Sequence, residues 1–185
     1  LKLVEHIHID LINACKKGNQ QAQYELYKHY AKPMFNVAIR IIQKREEAED
    51  VLQECFIDMF NKLDTWRGDS SFGSWFKRIV VNRSINAIKR KKMILVDESK
   101  ADKVMQDDLE IDENEEIPYT VEQVKAAMNE LPDGFRIVFS LYIFEDYTHK
   151  QIAEELNITE STSKSQLNRA RNRMKVLLKN SEQQQ

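Results

Sequence analysis

The sequence predicts an all-α protein: two small helical domains joined by a flexible acidic linker. Three observations carry this. Glycine and proline are scarce, four and three among 185 residues, too few for the turns of an all-β chain. Apolar residues recur at spacings of three and four over most of the length. Charge is segregated, although the formal total is only −2. Residues 1–92 hold 17 Lys and Arg against 11 Asp and Glu, residues 93–118 hold 2 against 10, and residues 119–185 hold 9 of each. The middle block, with scattered Ile, Leu and Val and no period, reads as the linker, so the expected domains are 8–92 and 119–180.

The first helix is expected from about Asp10, with Leu11, Ile12 and Cys15 apolar, after a disordered start that contains His6 and His8. Lys17-Gly18-Asn19 stops it. A second helix uses Ala22, Leu26, Tyr27 and Tyr30, and Pro33 is placed near the start of a third stripe of Phe35, Ala38, Ile39 and Ile42. From Glu46 to Leu63 a broad stripe of Ala48, Val51, Leu52, Cys55, Phe56, Met59 and Phe60 predicts a buried helix face. Glu47, Glu49, Asp50, Gln53, Glu54 and Asp58 project elsewhere, and periodicity alone favours a solvated face there. Its first acids also suit the positive end of the helix dipole.

Asp64 to Ser71 is a loop by composition. Phe72 to Arg90 resumes a helix, in which Phe72, Trp75, Phe76, Ile79, Val80, Ile85 and Ile88 alternate with Lys77, Arg78, Arg83, Lys89 and Arg90. Rings interleaved with cations suit single-stranded nucleic acid, since bases stack on the rings while cations hold phosphates. Phe76 reads as core, and Trp75 fits either role.

Beyond the linker, Thr120 caps a helix of Val121, Val124, Met128 and Leu131. Leu131 to Gly134 turns the chain, and Phe135 to Phe144 follows with Ile137, Val138, Leu141 and Tyr142 inward. Then come two amphipathic helices around Leu156-Asn157-Ile158. Ile152, Ala153 and Leu156 line the first; Thr159 caps the second, which buries Leu167, Ala170, Met174 and Leu177. Lys164, Ser165, Asn168, Arg169, Arg171, Arg173 and Lys175 occupy its other faces. Turn, small residue and basic helix together form the pattern of a helix-turn-helix, whose second helix enters a DNA major groove. The alternative is a helical hairpin with a solvated basic face. The tail from Asn180 is expected to fray.

Several functions are disfavoured. Cys15 and Cys55 lie far apart with no C-x-x-C pair, so neither a disulfide framework nor a zinc site is expected. No apolar run is long enough to span a bilayer and no signal peptide is visible, so a cytoplasmic protein without stable membrane insertion is expected. The phosphate loop, dinucleotide fingerprint and H-E-x-x-H motif are missing, and the four histidines are scattered. No catalytic residue, metal or cofactor is expected.

Three segments, AEDVLQECFIDMF, then WRGDSSFGSWFKRIVVNRSINAIKRKK, then LPDGFRIVFSLYIFEDYTHKQIAEELNITESTSKSQLNRARNRM, resemble in order a bacterial RNA polymerase sigma factor of the sigma-70 family. The match is to the small extracytoplasmic-function group (ECF, group IV), over about Leu11 to Leu178 with only the linker unmatched. This resemblance implies a sigma-2 domain followed by a sigma-4 domain. It implies core RNA polymerase as a partner, through the β′ clamp helices and the β flap, together with promoter DNA and an anti-sigma factor. Glu49, Asp50, Gln53, Glu54 and Ile57 match the positions that meet the clamp, which reverses the solvated-face reading. Arg67, Gly68, Asp69, Ser70, Ser71 and Phe72 are similar to the loop that captures a base flipped from the minus-ten element, with Trp75, Arg78, Asn82 and Asn86 beside it. Ser161, Thr162, Lys164, Ser165, Asn168 and Arg169 align with positions that read the minus-thirty-five element, with Arg171 and Arg173 on phosphate. The chain departs from the family at Ser163, usually apolar, and at Gln166, often a cation, while His149 stands at a polar, variable position. Two rivals to this function are a dimeric helix-turn-helix repressor and a metal-dependent helical nuclease using Glu49, Asp50 and Glu54.

Overall fold

A computed structural model describes residues 2–95 and 119–182. The chain divides into two compact units, Leu1–Ile94 and Leu95–Gln185. The linker expected over 93–118 lies outside the described residues beyond Leu95. All regular structure among the described residues is helical.

In the first unit, α1 (Lys2–Lys16) already covers the start expected to be disordered. Its Ile12 and Cys15 are buried. Gly18 takes a φ of 78°, which ends the helix, and Asn19 caps α2 by accepting from the Ala22 N–H at 3.0 Å. Helix α2 (Gln20–Ile42) is one helix, not two. Pro33 lies inside it on the exposed side, between buried Tyr30 and Met34. An interior proline costs ~3 kcal/mol, but Met34, Val37, Ala38, Ile41 and Ile42 behind it are all buried. At ~1.5–3 kcal/mol for each larger side chain, tertiary packing outweighs the break.

Helix α3 (Arg45–Asn61) buries the expected stripe from Ala48 to Met59, with Phe60 half-buried. A 3-10 turn at Leu63–Thr65 leads into the loop before α4 (Phe72–Leu95). Aromatic rings join three helices. Phe56 of α3 meets Phe76 of α4 at 4.9 Å between centroids, and Tyr30 of α2 meets Phe72 at 5.2 Å. Tilted and edge-on pairs of this kind add ~0.5–1.5 kcal/mol each beyond area burial. Tyr27, expected inward, is 47% exposed and only leans its ring on Phe56.

In the second unit, Thr120 and Gln123 cap α5 (Val121–Asn129) reciprocally. Val121, expected inward, is 63% exposed because the buried face of this short helix is set by Ala127 and Met128. Helix α6 (Asp133–Ile143) starts at Pro132. Arg136 is almost fully buried and holds that turn, donating to the Leu131 carbonyl at 3.2 Å and to Asp133 at 2.6 Å. Helices α7 (His149–Leu156) and α8 (Glu160–Glu182) complete the unit, and α8 packs against α5, α6 and α7. Leu178 enters the core with Met128, Leu131, Phe135, Ala170 and Met174, and the expected Leu177 packs against it partly buried. The tail expected to fray from Asn180 stays helical through Glu182.

Candidate functional site

Helix α3 presents one side to the core, so its acids are carried outward by helical geometry alone. Asp50 and Gln53 are exposed, and Ile57 is 61% exposed beside them. Glu49 is engaged by Arg45 at 2.8 Å, one turn earlier. Glu54 pairs with Arg83 of α4. All five expected docking residues thus lie at the surface of one helix, and two of them already hold a cation.

The Arg83 contact was not foreseen. Its guanidinium forks onto Asp58, with Nε donating at 3.1 Å and Nη2 at 2.5 Å, and Nη1 also reaches Glu54. Hydrogen bonding from Arg83 holds the Asp58 carboxyl below its ordinary range, against a smaller opposing effect of burial. Asp58 and Arg83 are 25 residues apart, so no periodicity could pair them. They sit in a groove of about 310 Å³ between α3 and α4, lined also by Asn82, Asn86 and Arg90. Beneath it Cys55 is a core thiol, pushed up to about 12 by burial.

The loop before α4 is held from several sides. Trp66 donates its indole N–H to the Ser70 carbonyl at 3.1 Å and sets its ring edge-on against Phe72. Lys16 reaches the Trp66 carbonyl at 3.5 Å. Gly68 takes φ 85°, the left-handed region that glycine enters without strain. Ser71 caps α4, accepting from the Ser74 N–H at 3.2 Å. Arg67, Gly68, Asp69, Ser70 and Ser71 are exposed along this loop. Phe72 is only 4% exposed, so it supports the loop from the core. On α4, Arg78 and Asn86 are exposed, while Trp75 and Asn82 are half-buried.

In the second unit the helix-turn-helix geometry is explicit. Thr148 and Gln151 form a capping box at the start of α7. Asn157 closes that helix at φ 56°, and the Ile158 N–H bonds to the Ala153 carbonyl at 3.0 Å. Thr159 then caps α8, accepting from the Thr162 N–H at 3.0 Å. Ser161, Lys164, Ser165, Asn168, Arg169 and Arg173 are exposed along α8, and Thr162 and Arg171 are half-buried. Ser165 donates its hydroxyl to the Thr162 carbonyl at 3.0 Å, so toward a ligand it offers acceptor lone pairs. Ser163 is fully buried and bonded to His149 Nδ1 at 2.9 Å.

No group of three or more His, Cys, Asp or Glu able to hold a metal occurs among the described residues, and no described helix is long and apolar enough to cross a membrane. A capped helix-turn-helix with an exposed basic second helix, in a chain whose other unit carries an acidic face and a cationic helix, defines a DNA-binding regulator of the helix-turn-helix class. The model of sigma-70 region 2 matches residues 26–93, and that of sigma-70 region 4 matches residues 121–174. The ECF RNA polymerase sigma factor SigW of Bacillus subtilis is 27% identical over 182 residues, covering 91% of this chain and 95% of its own. The ECF RNA polymerase sigma-E factor of Escherichia coli is 28% identical over 170 residues, covering 87% and 88%. In fold the chain is similar to the sigma factor RpoE of Bartonella quintana, solved with the anti-sigma factor NepR. The TM-score is 0.57 at 22% identity, over 84% of this chain and 96% of that one. The chain belongs to the sigma-70 family and is an ECF sigma factor.

Proposed function

We propose that this protein is a group IV, dissociable promoter-specificity subunit. It binds core RNA polymerase and directs where transcription starts, and it is not itself a catalyst. The observation that carries this is the presence in one chain of a region 2 match followed by a region 4 match whose second helix exposes its basic face.

In this reading the 8–92 domain docks on the β′ clamp through Glu49, Asp50, Gln53, Glu54 and Ile57. Loop 67–71 and Asn82 and Asn86 of α4 take a base flipped from the minus-ten element. Extrusion costs a few kcal/mol, which stacking at ~1–3 kcal/mol per base and pocket hydrogen bonds offset. The 119–180 domain reads the minus-thirty-five duplex through Lys164, Ser165, Asn168 and Arg169, flanked by Ser161 and Thr162. Arg171 and Arg173 set register on phosphate. The β flap receives that domain. An anti-sigma factor holds the protein inactive in the cytoplasm by covering the polymerase-binding surfaces.

In vitro transcription by core polymerase plus this protein, followed by sequencing of RNA 5′ ends, tests the proposal. Start sites aligned behind two shared elements are expected. A chain that does not co-elute with core polymerase, or that leaves start sites unmoved, overturns it and favours a free-standing repressor.

A further inference from the structure

Ser163 is fully buried, yet it is not an orphan: its hydroxyl meets His149 Nδ1 at 2.9 Å. The His149 ring also stacks on Tyr142 of α6, with centroids 4.7 Å apart and planes 25° apart. The Arg171 guanidinium lies 5.9 Å from the same tyrosine ring. Tyr142, His149 and Arg171 line a concavity of about 480 Å³ with Ser161, Lys164, Ser165 and Asn168. A single ring nitrogen, Nε2, remains for His149 to offer a ligand, and the cations around the concavity select an anion.

We propose that this concavity is a proton-linked phosphate site: His149 and Arg171 take one phosphate of the promoter backbone, and His149 binds a proton as it does so. The proposal rests on the reading of α8 as the duplex-facing helix. A hydroxyl at Ser163 suits the task, because it rotates to donate to neutral Nδ1 or to accept from Nδ1–H in the imidazolium. An apolar residue there could do neither.

The groups facing His149 are Tyr142 and Ser163, the cations Lys164 and Arg171, and Glu160. In the free chain burial first, then Lys164 and Arg171, hold its pKa below the ordinary histidine value, and Glu160 opposes them. The free chain thus favours the neutral imidazole. A bound phosphate reverses that balance by placing negative charge beside the ring. The pKa is then higher in the bound state than in the free state. The gain in affinity is full below the free pKa and is lost as pH rises through the bound pKa.

The test is anisotropy titration of the full chain with a short fluorescent duplex carrying the upstream element, at pH 6 and pH 8 and several salt concentrations. Affinity is expected to rise severalfold from pH 8 to pH 6, short of the full gain, which is reached only below the free pKa. The salt slope is expected to steepen by roughly 0.9, one further phosphate neutralised. His149→Asn, which keeps a hydrogen-bonding atom near Nδ1 and cannot titrate, is expected to abolish both changes. NMR titration of the wild-type histidines, free and duplex-bound, needs no variant to fold and is expected to show one pKa rising on binding. An equal pH response in wild type and variant, or no histidine pKa that rises, overturns this site while leaving duplex binding intact. A chain that binds no duplex at either pH overturns the helix-turn-helix reading beneath it as well.

Discussion

Arg83 offers the most direct energetic test of how the first unit is held together. Hydrogen bonds to charged groups contribute ~1.5–3 kcal/mol, whereas fully exposed ion pairs contribute ~0.2–1 kcal/mol. The side chains of Arg83 and Asp58 are 30% and 26% exposed. A two-bond fork at that burial should therefore couple by about 1–1.5 kcal/mol. Glu54 is 57% exposed and adds only a few tenths after screening. Lys62, 3.8 Å from Asp58, takes up part of the charge when Arg83 is removed, which keeps the single substitution from costing much more than the coupling itself. The assay is a double-mutant cycle of Arg83→Gln and Asp58→Asn by urea unfolding. Both tryptophans, Trp66 and Trp75, lie in the first unit, so their emission reports that unit alone. The folded pKa of Asp58 lies below its unfolded value. The coupling should thus be constant at pH 5 and above and vanish as pH falls through the folded value. A cycle energy under about 0.3 kcal/mol at pH 7, or one that grows toward acid, would refute the reasoning.

Other outcomes follow from the same geometry. Gly68→Ala places a Cβ at φ 85°, where open space relieves nothing because the strain is in the backbone. It should cost about 1 kcal/mol and weaken capture of minus-ten single strands, read by fluorescence of a labelled non-template strand bound to holoenzyme. Lys164→Ala or Arg169→Ala should lose ~1–3 kcal/mol on the cognate minus-thirty-five duplex and little on a scrambled one; equal loss on both would reduce the residue to a phosphate contact. Thr148→Ala removes a reciprocal cap and should destabilise the second unit by about 1 kcal/mol, seen in circular dichroism melts.

What could be read in advance was mostly local. The helix-turn-helix was legible because each of its signals spans a few residues: the face of Ile152, Ala153 and Leu156, Asn157 at the turn, and the cap at Thr159. The α3 stripe was legible for the same reason. Pro33 misled because its cost is local while the burial of Met34 and Val37 that overrides it is tertiary. Tyr27 and Val121 misled because a periodic stripe does not say how wide the buried face is. Two polar links, Arg83 to Asp58 and His149 to Ser163, join residues 25 and 14 apart on different helices, beyond the reach of periodicity. Ser163 even read as a departure from the family, until its partner explained it.

The acidic face of α3 still admits two readings, and Ile57 separates them. A face made only for water gains nothing from Ile57, 61% exposed among Gln53, Glu54 and Asp58, although single exposed apolar residues are ordinary on protein surfaces. A docking face does gain, because apolar area hidden on binding adds affinity where exposed carboxylates mostly add rate and register. Burying an isoleucine fully is worth ~1.5–3 kcal/mol, and somewhat over half of that remains to be gained here. Ile57→Ala should therefore weaken core polymerase binding by about 1–2 kcal/mol, roughly five- to thirtyfold. It should leave urea unfolding by tryptophan emission within about 0.5 kcal/mol of wild type, since the side chain supports little of the core. Fluorescence titration with labelled core polymerase reads the first quantity. Unchanged affinity would return the face to solvent and move the polymerase contact to another part of the unit. A loss of affinity matched by a loss of stability would make Ile57 a packing residue whose exposure misleads.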